Sequence, residues 1–371
     1  MHRTVYLDNA ATTFPKPPEV LRSVHRLIKY HCANPGRSTH KMAAWCAERV
    51  YEAREAVASF INFDSPERVI FTSNATHALN LAIKGAIREK CHVIISDLEH
   101  NSVLRPLYNV SERLGVDISV FNSDRPLREA ILPLVRDDTK YLISTLSSNV
   151  SGKVIDTEEL SSIANELGLY SIVDASQLLG HRDFDVCKTP FDIICAPGHK
   201  ALFGLQGGGI AVFNSKNSIA PLVEGGSGND TFNFEMPVSM PERYEAGTLN
   251  MPAIVSLASG ISYLENIGMS YVEEKLSALT QRLNEVLDCI GAHIYGCENG
   301  IASFNLPNKS TGDLTAYLDE CGIATRGGFH CAPLIHEKLG TEKGGAVRAS
   351  LSIFNSNEDL DALYKALKMI I

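Results

Sequence analysis

At 371 residues, with 44% hydrophobic and 21% charged residues, the chain can bury a large core and exceeds one ordinary domain, which predicts two lobes. A formal net charge of −9 leaves no basic footprint, so nucleic acid is not expected as a main partner. The nine cysteines form an odd, scattered set without a C-x-x-C, which disfavours a disulfide framework or a thiolate zinc site. With no apolar run near the ~18 residues that span a membrane, this points to a soluble cytoplasmic protein with no membrane partner.

In chain order, short β-rich runs alternate with helical patterns from about residue 66 to 213. Strands are expected at Arg68 to Thr72, His92 to Ser96, Ile118 to Phe121, Lys140 to Ser144, Tyr170 to Asp174, Ile193 to Ala196 and Gly209 to Phe213. Helices are expected near Thr76 to Arg88, up to Leu114, and near Glu158 to Leu167. This rhythm predicts an α/β fold with a mostly parallel sheet covered on both faces, whose ligands gather at the carboxyl ends of the strands. Residues 222 to 247 are rich in Gly, Pro and polar residues and carry no periodicity, as in a long functional or disordered loop. Beyond them, helical stripes run through Leu276, Leu279, Leu283, Val286, Leu287 and Ile290, and through Leu360, Leu363, Tyr364 and Leu367, the last helix opening at Ser356 or Asn357. With strands expected at Ile301 to Asn305, Ile323 to Arg326 and Ala346 to Ser350, they predict a smaller α/β lobe.

Lys200 ends the turn Ala196-Pro197-Gly198-His199-Lys200, and Asp174 lies 26 residues upstream, in Val173-Asp174-Ala175-Ser176-Gln177. A lysine for a Schiff base and a carboxylate to hold a pyridine nitrogen protonated are what a pyridoxal phosphate enzyme needs. Each also has an ordinary alternative: a solvated surface lysine, and an aspartate that caps the next helix. Apolar neighbours would desolvate the Lys200 amine and lower its pKa. Gln177 could donate to the phenolic oxygen of such a cofactor. His100, in Asp97-Leu98-Glu99-His100-Asn101, is either a helix cap or an imidazole stacked on the cofactor ring, shuttling protons. Ala75 and Thr76 open a helix after a strand, a place that favours phosphate. Far downstream, Cys331 stands in Arg326-Gly327-Gly328-Phe329-His330-Cys331-Ala332, where His330 and Arg326 are nearby cations or donors for a thiolate nucleophile; the other eight cysteines read as small hydrophobes.

Together with Tyr6-Leu7-Asp8-Asn9-Ala10-Ala11-Thr12-Thr13, the segment from Asn34 to His40, Ser148-Asn149 and Glu245-Ala246-Gly247-Thr248-Leu249-Asn250, these motifs resemble the class V aminotransferase-like cysteine desulfurases over nearly the whole chain. The compact cysteine segment is similar to the group II branch, which is related to selenocysteine lyases. The resemblance implies the fold type I architecture of pyridoxal phosphate enzymes: a seven-stranded-type sheet sandwiched by helices in a large domain over residues 15–250. A small domain from 1–14 and 251–371 would carry the cysteine. It implies that Lys200 holds pyridoxal 5′-phosphate, Asp174 and Gln177 bind its ring, and His100 stacks on it. Ala75, Thr76 and His199 would lie at the phosphate, with Thr248 reaching in from a second subunit of a homodimer. Asn149 would lie beside the coenzyme oxygen and the substrate carboxylate, Arg326 would meet the substrate, and Arg348 would clamp its carboxylate. Cys331 would take sulfur from L-cysteine, leaving L-alanine, and pass it to an acceptor protein. L-selenocysteine as substrate, a class V aminotransferase or lyase with an incidental Cys331, and a non-catalytic scaffold are the competing readings. Two departures stand out: Pro197 replaces a frequent phosphate-binding serine, and Phe329 a frequent histidine.

Overall fold

The computed structural model of the protein describes residues 4–36, 40–229 and 231–371. Arg37, Ser38 and Thr39 of the Asn34 to His40 motif, and the first three residues, therefore lie outside the described residues. Seven strands form one sheet in the spatial order Val69–Thr72, Gly209–Phe213, Ile193–Pro197, Tyr170–Asp174, Thr139–Thr145, His92–Ser96 and Asp117–Phe121. Gly209–Phe213 runs antiparallel to both its neighbours, and every other pairing in the sheet is parallel. All residues of Val69–Thr72, His92–Ser96, Ile193–Pro197 and Gly209–Phe213 are buried, which is why these segments read as unbroken apolar runs. In the edge strand Asp117–Phe121 only Phe121 is buried.

Helices pack on both faces. On one, Leu142, Phe191 and Ile194 meet Val57 of helix Lys41–Phe60 and Leu257 and Ile261 of helix Met251–Ile267. On the other, Ile83, Val103 and Leu107 meet Ile143, Ile172 and Phe213. Each fully buried side chain of this size stabilises the fold by about 1.5–3 kcal/mol, so the strand ends are presented from a stiff floor. Helix Met251–Ile267 and Val272 join the large-sheet cluster, as do Ala332, Ile335 and Ile353, and a smaller cluster gathers Leu276 and residues beyond it.

The smaller unit holds a four-stranded antiparallel sheet in the order Arg326–Gly328, Ala346–Ser350, Ile301–Asn305, His293–Glu298. Helices Met269–Ile290 and Asn357–Lys368 bury Leu283, Leu287, Leu360 and Leu363 against it. Ser356 caps the last helix, and the Asp359 carboxylate accepts from Ser356 N at 3.1 Å. The N-terminal residues Val5–Tyr6 pair with Ile323–Ala324, and buried Leu7 joins this core.

The strand expected at Ile323 to Arg326 is two strands in two sheets. Ile323–Ala324 pairs with the N-terminus, whereas Arg326–Gly328 pairs with Ala346–Ser350. The glycines permit the change of partner: Gly328 has φ of 114°, and a Cβ on Gly327 would lie 2.5 Å from Thr315 Oγ1. This bend aims the cysteine segment at the large unit. The described part of 222 to 247 contains turns only, tied down at Tyr244, whose ring stacks 4.8 Å from Phe213. Among the described residues no helix is long and apolar enough to cross a membrane, and no cluster of metal-binding side chains occurs.

Candidate active site

The parallel strands end at one edge of the sheet, and a cavity of about 220 Å³ opens there. Asp174 and Thr145 reach it as strand ends, Ala75 and Thr76 as the start of helix Ala75–Ala86, and Lys200 from the turn after Ile193–Pro197. His100, Asn149, Gln177, Pro197, His199, Arg326 and Arg348 complete the expected set in its wall. Thr248 is elsewhere, in a separate cavity of about 240 Å³ beside Ser73 and His77.

The Lys200 amine is lowered to about 8, chiefly by burial; the carboxylate of Asp174 opposes the shift, and the charges of Arg348 and Arg326 add to it. Asp174 is buried, and one of its oxygens accepts from Ser176 N at 2.9 Å, a local turn that fixes the carboxylate. Gln177 Nε2 donates to Ala10 O at 3.0 Å, so the N-terminal segment, not a ligand, holds one of its amide hydrogens. The His199 carbonyl accepts from Lys16 Nζ at 2.7 Å, Thr12 Oγ1 at 3.2 Å and Thr13 N at 3.2 Å, which anchors the lysine turn to the same segment. Burial, with the charges of Lys200 and Lys16, lowers the His199 imidazole to about 4.

His100 is both a helix cap and a cavity residue. Its Nδ1 accepts from Ser102 N at 3.0 Å, at the start of helix Asn101–Leu114. That acceptor role places the proton of the neutral ring on Nε2. Burial lowers its pKa to about 4, with Lys200, Arg326 and Arg348 acting in the same direction and Asp174 against it. Ser102 Oγ bridges His100 Nδ1 at 2.9 Å and Thr76 Oγ1 at 2.8 Å. Sequence reasoning passed over this serine, since nothing in Asn101-Ser102-Val103 marks it. Glu99 was also passed over as a titrating group. It is fully buried, accepts from Ser96 Oγ, from Thr145 N at 2.7 Å and from Thr145 Oγ1 at 2.8 Å, and is pushed up to about 7 by burial, with Asp174 acting in the same direction.

Arg348 is only 1% exposed. Its Nη2 meets Asp8 Oδ1 at 2.8 Å and its Nη1 donates to Asn149 O at 2.9 Å. Asn149 Nδ2 donates in turn to His330 O at 2.7 Å, and Asn101 N to Cys331 O at 2.7 Å. These bonds pin two consecutive left-handed residues, His330 at φ 50° and Cys331 at φ 58°, a conformation costing roughly 1–2 kcal/mol for each residue with a Cβ. Cys331 is exposed beside the cavity, while His330 and Arg326 line it. Of the two expected roles for His330, cation or donor, the neutral donor fits its surroundings. Buried, and facing the charge of Arg348, it is lowered to about 3, and its Nε2 donates to Arg326 O at 3.2 Å. Arg326 remains as the nearby cation. Phe329 is half exposed, its ring edge-on to His336 at 5.6 Å.

Five residues in the wall carry buried polar atoms without a partner in the chain: Asn149 Oδ1, Gln177 Oε1, His199 Nδ1, His330 Nδ1 and Arg348 Nε. An unpaired buried polar group costs about 1–3 kcal/mol, and five around one cavity call for a polar ligand.

The family described as aminotransferase class-V matches residues 5–363. A probable cysteine desulfurase of Methanothermobacter thermautotrophicus is 34% identical, with 99% of this chain and 94% of the relative covered. A second, from Pyrococcus abyssi, is 31% identical over the same shares. Among solved structures, the apo cysteine desulfurase of Thermococcus onnurineus NA1 superposes with a TM-score of 0.91 at 28% identity, covering 99% of this chain and 94% of that one.

Proposed function

The chain belongs to the aminotransferase class-V family, and from that premise we propose that it is a pyridoxal 5′-phosphate-dependent cysteine desulfurase, which moves the sulfur of L-cysteine onto Cys331 and releases L-alanine. The observation that carries this reading is the convergence of Lys200, Asp174, His100 and Arg348 on one cavity with the Cys331 backbone bonded at its rim.

The residues fit the coenzyme. A lysine lowered to about 8, a buried carboxylate and five unpaired polar atoms, acceptors as well as donors, suit a polar coenzyme that carries an aldehyde, a ring nitrogen and a phosphate. Lys200 would hold the aldehyde carbon, Asp174 the ring nitrogen, Gln177 the ring oxygen, and Ala75, Thr76 and His199 the phosphate. Helix Ala75–Ala86 suits the last role: its cap Asn74 takes His77 N, leaving the first N–H groups and the helix dipole for an anion. When bound, the coenzyme supplies an electron sink for the pair left at the substrate Cα.

The chain's own residues do the rest. Arg348 Nε and the second Asn149 Nδ2 hydrogen hold the substrate carboxylate, with Arg326 adding positive charge. Lys200, once free, takes the Cα proton, an exchange its pKa near 8 permits at neutral pH. Neutral His100 offers Nε2–H as a donor. The Cys331 thiolate attacks the substrate sulfur; an S–S bond forms as the Cβ–S bond breaks, and the carbon takes a proton to become L-alanine. An acceptor protein then removes the persulfide sulfur. A homodimer belongs to the same proposal: Phe232 and Phe234 stand fully exposed on the arm that ends at Thr248, as a segment covered by a second copy would.

The test is coenzyme capture. Apo protein titrated with pyridoxal phosphate, reduced with borohydride and digested should carry the label on Lys200, and Lys200→Ala should carry none. No uptake, or a label on another lysine, would defeat the assignment.

A further inference from the structure

The hairpin tip Glu298-Asn299-Gly300 joins strands His293–Glu298 and Ile301–Asn305. Asn299 and Gly300 are both left-handed, at φ 50° and 78°, the two-residue turn that Asn-Gly favours. Such tips ordinarily lie in water. This one is driven into the large unit, and Asn299 is 4% exposed. The neighbouring backbone is shaped to receive it: a Cβ on Gly152, in the turn that carries Asn149, would lie 1.7 Å from Glu298 O.

The Asn299 side chain is fully engaged. Its Nδ2 donates to Gln177 O at 2.9 Å and to Ser147 Oγ at 3.1 Å, and its Oδ1 accepts from Arg182 Nε at 3.2 Å. Gln177 and Ser147 both line the catalytic cavity, on segments 30 residues apart in sequence and more than a hundred from Asn299. We infer that Asn299 is a positioning residue: from the smaller unit it fixes the two cavity segments bearing Ser147 and Gln177, and so sets the amide that meets the coenzyme ring. This rests on the coenzyme reading above.

The chemistry explains the residue type. Gln177 O can only accept, so the partner must donate; an aspartate would face a carbonyl oxygen with a carboxylate and repel it. Alanine would lose the bonds and strain the left-handed backbone, whereas glycine loses the bonds and keeps the turn. Asn299→Asp and Asn299→Gly therefore remove the same two donors by different routes. Arg182→Ala is the control, since it removes a partner of the tip without touching Gln177 or Ser147.

The experiment measures, for wild type and the three variants, the melting temperature, the dissociation constant for pyridoxal phosphate of the apo protein, and the absorbance maximum of the complex. Both Asn299 variants should bind the coenzyme roughly tenfold more weakly, corresponding to about 1.4 kcal/mol, with a displaced absorbance maximum, while Arg182→Ala matches wild type in both. If the Asn299 variants melt earlier yet bind with unchanged affinity and spectrum, Asn299 merely supports the fold and the inference fails. Arg182→Ala showing the same loss would also overturn it, by assigning the effect to docking of the tip. A wild type that takes up no coenzyme would sink the underlying reading instead, a distinct result. Should Asn299→Asp fail to fold, Asn299→Gly decides alone.

Discussion

Replacing Asp8 with Asn tests the proposal that Arg348 grips the substrate carboxylate from a prearranged position. Arg348 is 1% exposed and Asp8 is partly exposed, with Nη2 and Oδ1 2.8 Å apart. At an effective dielectric of ~20 the raw attraction is about 6 kcal/mol, an upper bound. Asparagine keeps an oxygen that can accept from Nη2, and water reaches one side of Asp8, so the charge itself accounts for roughly 2–3 kcal/mol. If about 1.4–2 kcal/mol of that acts on how Arg348 is aimed, KM for L-cysteine should rise roughly ten- to thirtyfold, with kcat changed less. The rest should appear as a lower melting temperature. Steady-state kinetics by alanine release, with calorimetry on the same samples, measures both. An opposite picture, in which Asp8 competes with the substrate for the guanidinium, predicts a lower KM. A KM that falls or stays constant in Asp8→Asn would refute the reasoning.

Three other outcomes are expected. The rate at which apo protein captures the coenzyme aldehyde should rise with pH through about 8, because only the unprotonated Lys200 amine attacks; no limb should appear at the ordinary histidine value, since His100 is neutral above about 4, and a limb near 6.5 that vanishes in His100→Gln would contradict this. Lys338→Met should cost about 1–2 kcal/mol of stability while leaving coenzyme affinity intact, because Lys338 Nζ ties the helix following Cys331 to Asp97 at 2.7 Å and Asp124 at 2.6 Å outside the cavity; calorimetry and coenzyme titration would check it. Replacing Phe232 and Phe234 together with Ser should weaken self-association roughly a hundredfold or more by sedimentation, each ring being worth about 1.5–3 kcal/mol when covered, and an unchanged dimer would remove these rings from the interface.

The strands were legible wherever burial on both faces produced an unbroken apolar run. Tyr170–Asp174, Gly209–Phe213, Ile301–Asn305 and Ala346–Ser350 have the expected bounds. Helices were legible only where one face is apolar. Met251–Ile267 escaped because it is apolar nearly all round, packed against helices Pro18–Tyr30 and Lys41–Phe60 and so lacking a stripe. The sheet change at Thr325 was invisible because pairing is decided by tertiary neighbours, not by the run from Ile323 to Arg326. In the cavity, residues with distinctive chemistry such as Lys200, Asp174 and Arg348 could be picked out from motifs. Ser102, Ser147 and Asn299 could not, since a serine or asparagine acquires its role from a partner far away in sequence. For His330 the choice between cation and donor stayed open for a related reason. Adjacency to Cys331 allowed either, and burial, which the sequence does not display, keeps the ring neutral.

The central claim is that sulfur leaves L-cysteine for one thiol. Coenzyme-loaded protein mixed with L-cysteine in a single turnover should yield one alanine for each sulfur atom gained by the peptide containing Cys331, and Cys331→Ala should gain none. Alanine formed at the same rate by Cys331→Ala, or extra sulfur found on another of the nine cysteines, would contradict the account.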